Sequence, residues 1–81
     1  MADFSSECEL HRAELRVRAA ERAVARQQVV VAKFEAVDDL DETHLARLYL
    51  AVCEQRLQLA RDELRGLQVQ RARASFRVVR K

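Results

Sequence analysis

Phe34-Glu35-Ala36-Val37-Asp38-Asp39-Leu40-Asp41-Glu42-Thr43-His44-Leu45-Ala46 is the stretch whose reading decides the fold. Asp38, Asp39 and Asp41 sit between two long runs of helix formers. Aspartate side chains compete with the backbone for hydrogen bonds and suit turns and helix caps better than helix interiors. A turn over 38–41 is therefore expected. Asp39-Leu40-Asp41-Glu42 has the form of a capping box, with Asp41 or Thr43 as alternative caps. Acids here also suit the positive end of the following helix dipole.

Working outward from the turn, each flank carries a heptad-like seam. Before it, Leu10, Ala13, Val17, Ala20, Val24, Gln27, Val31 and Phe34 recur in steps of three and four. After it come Ala46, Leu50, Cys53, Leu57, Ala60, Leu64, Leu67, Arg71, Ala74 and Val78. Such spacing lines up one face of an α-helix. Folding the seams together about the turn opposes Phe34 with Ala46, Val31 with Leu50, Gln27 with Cys53 and Val24 with Leu57. It also opposes Ala20 with Ala60, Val17 with Leu64 and Ala13 with Leu67. Every pair of numbers sums to 80 or 81, so one antiparallel register satisfies every layer. Agreement between separate stretches is the criterion for a specified fold.

The expected architecture is all-α, a single antiparallel two-helix hairpin over residues 1–81. Its first helix covers about 6–37 and opens on the capping box Ser6-Glu7-Cys8-Glu9. Its second covers about 42–76 and is followed by a basic C-terminal tail. There is no proline and one glycine, Gly66, so the turn residues that strands require are missing.

The apolar surface exceeds what one hairpin can use. Leu45, Leu48, Val52 and Leu59 form a second stripe well over 90° from the seam, with Tyr49 between the two. On the first helix Ala19, Ala23, Val30 and Val37 do likewise, interrupted by Arg26 and Lys33. A doubled stripe implies at least two neighbours. Leu45, Leu48, Tyr49, Val52, Leu59 and Val30 are thus the expected association surface. A two-fold homodimer forming a four-helix bundle is the simplest closure, and a helical protein partner is the other.

Charge and chemistry narrow the function further. The formal net charge is only +2, but it is unevenly placed. Residues 35–42 hold five acids and no base, whereas no acid follows Glu63. Arg71, Arg73, Arg77, Arg80 and Lys81, with Phe76 among them, are the candidate anion-binding residues. They suit a phosphate backbone or acidic surface. Cations near a helix C-terminus are also favoured by the dipole alone, and no helix-turn-helix, zinc-finger or RNA-binding signature accompanies them. Arginine outnumbers lysine 13 to 2, as a GC-rich genome would produce.

His11 and His44 fall some 45 Å apart in the hairpin at about 1.5 Å per residue, so no shared metal site is expected. Cys8 and Cys53 lie about 28 Å apart on the same reasoning, beyond disulfide reach. Cys53 reads as a small buried hydrophobe, and Gln27 as a polar seam residue that sets register. There is no Gly-rich loop, no nucleophile–base pair and no carboxylate pair in a pocket. The chain reads as no enzyme, with no cofactor, no metal and no small-molecule substrate. No run of 18 apolar residues is present, so no membrane span is expected, and a cytoplasmic location fits the N-terminus.

The pattern Ala20-Glu21-Arg22-x-Val24-x-x-Gln27, with Val31-Ala32-x-x-Glu35, Asp41-x-Thr43 and Ala46 through Leu48 to Leu57, covers roughly residues 13–65. In this it resembles short helical-hairpin proteins of Gram-negative, notably alphaproteobacterial, genomes. That resemblance implies a bacterial source and no mechanism. Small hairpins of type III secretion, chaperones and stalk components, are similar in architecture only. The expected function is a non-enzymatic coiled-coil adaptor acting through helix–helix association. Nucleic-acid or acidic-surface binding and a secretion-type chaperone are the alternatives.

Overall fold

A computed structural model describes the backbone of residues 2–80 and the side chains of residues 8–74. Two helices, α1 (Ala2–Ala36) and α2 (Leu40–Arg80), run antiparallel. They form a rod of 64 × 18 × 13 Å. Among the described residues three ion pairs cross between the helices: Arg16–Glu63, Arg61–Glu21 and Arg47–Glu35. Their residue numbers sum to 79, 82 and 82, the descending order that an antiparallel pair requires.

The turn is shorter than expected because one residue serves both helices. Asp38 adopts φ 61°, the left-handed conformation that ends many helices. Its N–H donates to the Glu35 carbonyl, and the Asp39 N–H donates to the Phe34 carbonyl, both at 3.2 Å. That is the paired hydrogen-bond pattern of a Schellman C-cap, made here by aspartate instead of glycine. Asp39 then caps α2, its Oδ1 accepting the Glu42 N–H at 3.2 Å. Helix α2 therefore begins at Leu40 and not at Glu42. Of the three candidate caps Asp39 takes the role. Thr43 lies one turn inside, buried, with its hydroxyl donating to the Asp39 carbonyl at 2.6 Å.

Both outer boundaries also move. Helix α1 starts at Ala2, upstream of Ser6, so the expected Ser6 box is helix interior. Helix α2 runs to Arg80, and the expected basic tail is helical. With no proline and a single glycine, nothing between Leu40 and Arg80 forces an earlier stop.

The seam is where the core sits. Ala13, Val31, Ala46, Cys53 and Leu57 are at most 8% exposed. The other seam residues from Leu10 to Phe34 and from Leu50 to Leu67 are half-buried. Of the seam positions beyond Leu67, Arg71 and Ala74 are exposed, and the side chain of Val78 lies outside the described residues. Gln27 departs from a simple layer against Cys53. Its amide Nε2 donates to the Ala46 carbonyl at 3.0 Å, about one heptad nearer the turn. A thiol is a weak acceptor, and a half-buried amide needs a better one.

Candidate association surface

The stripe of α2 remains uncovered by α1. Leu45, Leu48, Tyr49, Val52 and Leu59 are between 40 and 63% exposed. Heptad spacing stacks Leu45, Val52 and Leu59 in one line. Leu48 and Tyr49 fill the intervening turn. Val30, expected beside them, is half-buried instead. It follows Gln27 by three residues, only about 60° around α1, and so falls on the flank of the seam. Val37 and Leu40 are 70 and 80% exposed, which adds apolar surface at the turn.

The two long sides of the hairpin differ. At 100° per residue, Glu21 and Glu35 of α1 and Arg47 and Arg61 of α2 share one side of the seam. There they pair across the helices, Arg61 to Glu21 at 3.6 Å. Their side chains are about half exposed, so each pair contributes under about 1 kcal/mol while still fencing that side with charge.

The opposite side carries a shallow depression of about 370 Å³. Its floor includes Ala19 and Ala23, and Tyr49 forms part of the α2 wall. Arg26 reaches it from α1 and Arg56 from α2. The sequence reading noted Arg26 only as an interruption and missed Arg56. The signal was available, since Arg56 follows Tyr49 by seven residues and shares its helix face. Among the described residues neither Arg26 nor Arg56 forms an ion pair or hydrogen bond, in contrast to Arg47 and Arg61.

The remaining candidates are scattered. Arg71 and Arg73 are exposed on the last turns of α2. The side chains of Arg77, Arg80 and Lys81 lie outside the described residues. Cys8 is exposed and Cys53 buried, both as free thiols. His44 lines a second shallow hollow beside the turn, with Glu35, Asp38 and Arg47. No group of three or more His, Cys, Asp or Glu able to hold a metal occurs among the described residues. Nor is any described helix long and apolar enough to cross a membrane.

What the described surface offers is an apolar ridge beside a trough with alanines on its α1 side. Neither a family model, nor a curated protein, nor a solved structure matches this chain.

Proposed function

We propose that the chain is a non-enzymatic coiled-coil adaptor that works by helix–helix association. Further helices laid over the α2 stripe complete a four-helix bundle. A second copy closing a two-fold dimer, or a helical segment of another protein, engages the same surface in the same way.

The observation that carries this reading is the exposed stripe of Leu45, Leu48, Tyr49, Val52 and Leu59. Contiguous apolar patches on small proteins usually mark association sites. Area supports it. The accessible surface is 6802 Å², against roughly 5,000 Å² for a compact monomer of this mass. The excess is about twice the 800 Å² that each partner contributes to an ordinary stable interface.

Light scattering after size exclusion tests the proposal, on the chain alone and mixed with a designed amphipathic peptide. The peptide carries a leucine ridge and neutral flanks. We expect a mass above 9.4 kDa in at least one sample. Leu48→Glu with Val52→Glu should abolish it while far-ultraviolet circular dichroism stays helical. A monomer in both samples at micromolar concentration overturns the adaptor reading.

A further inference from the structure

We infer that the occupant of the stripe is an amphipathic helix of another protein, apolar along one face and acidic along its flanks. This rests on the association reading above and decides between its two kinds of partner.

The argument is one of charge. The trough beside the stripe is bordered by cations on both walls, Arg26 from α1 and Arg56 from α2. Arg22 lies one turn before Arg26 on the same face, and Lys33 two turns after it. All four are exposed, and none forms an ion pair among the described residues. On the far side of the hairpin the arrangement is the reverse, with Arg47 and Arg61 held by Glu35 and Glu21. The acids on the trough side stand at its ends. Asp41 is next to the turn, and Glu63 is already engaged by Arg16.

A second copy meets this surface poorly. A two-fold interface sets the same patch on both subunits face to face. With its axis near Val52, the middle of the stripe, Arg26, which is level with residue 54 in the hairpin register, would come within about 6 Å of its own equivalent along the helices, and Arg56 within about 12 Å. Like charges across an interface oppose association, and complementary ones select the partner. Glutamates flanking the ridge of an incoming helix would instead meet Arg26 on one side and Arg56 on the other.

Geometry sets the length of that helix. Leu45 and Leu59 are fourteen positions apart, about 21 Å along α2, or some four turns of a docking helix. The alanines of the trough floor permit close approach to α1. Leucine-sized side chains from the partner would then pack against Leu45, Val52 and Leu59, in the helix-in-groove manner.

Two labelled peptides about eighteen residues long test this, with one leucine ridge and either glutamate or lysine flanks. Fluorescence anisotropy on the full chain should show the glutamate peptide binding at least ten-fold more tightly. About 1 M salt, which shortens the screening length to about 3 Å, should erase most of that preference. Arg26→Glu with Arg56→Glu should invert it. Equal affinity for the two peptides overturns the acidic-partner inference and leaves the adaptor reading standing. The same holds for a chain that is a stable dimer alone and is dissociated by Leu48→Glu with Val52→Glu. A monomer that binds neither peptide overturns both.

Discussion

At the scale of single residues, the hairpin depends on how two aspartates divide the work of its turn. Asp38 accepts the left-handed backbone, and Asp39 ends one helix while starting the next. Residues with a Cβ are strained at φ 61°, though aspartate less than most. Asp38→Gly should therefore raise the stability of the hairpin by about 0.5–1 kcal/mol, read as a higher urea midpoint at unchanged slope. Asp38→Val should lower it by about 1–2 kcal/mol. Equal midpoints in the three proteins would show that the turn contributes nothing to stability. Aspartate preference alone named Asp38–Asp41 as the turn. It could not say which of the three would cap, because Asp39, Asp41 and Thr43 are all competent N-caps. The backbone path through Asp38 decides it.

At the scale of the elements, each helix buries one seam and fences one side with ion pairs. Gly66 is the weak point of α2. A methyl group added there meets nothing within 4 Å, so space does not require the glycine. Gly66→Ala should stabilise the hairpin by about 1 kcal/mol, since glycine is that much poorer than alanine inside a helix. For a domain of this size that corresponds to roughly 4–8 °C in melting temperature. An unchanged melting temperature would locate the last turns of α2 outside the cooperative unit. Seam spacing reads the buried positions well from Leu10 to Phe34 and from Ala46 to Leu67. It fails at Arg71 and Ala74, where the period continues and burial does not. Periodicity marks a face that is available for packing and does not by itself fix how deeply each position on it is buried.

At the scale of the whole molecule, the hairpin is a thin rod. Its radius of gyration is 18.5 Å, against about 12 Å for a compact chain of this length. Among the described residues no large side chain is fully buried. Small-angle scattering on the Leu48→Glu, Val52→Glu variant should return a value near 18.5 Å for an isolated hairpin. A value near 12 Å would mean that the helices fold back on themselves. Covering the stripe should also raise the melting temperature, because ligands of the folded state stabilise it by mass action.

The sequence by itself determined that there are two helices, where the chain reverses, which seam each helix buries and which stripe is left over. Those properties follow from local preference and from periods of three and four residues, which are written along the chain. Only the tertiary structure decided that Asp39 caps α2, that Gln27 turns to the Ala46 carbonyl and that Val30 is half-buried on the flank of the seam. It alone also separated the side of the hairpin where Arg47 and Arg61 are held by Glu35 and Glu21 from the side where Arg26 and Arg56 face a trough. The reason is physical. A helix carries its charges all round its circumference, and which of them meet across a groove depends on how the second helix is rotated about its own axis.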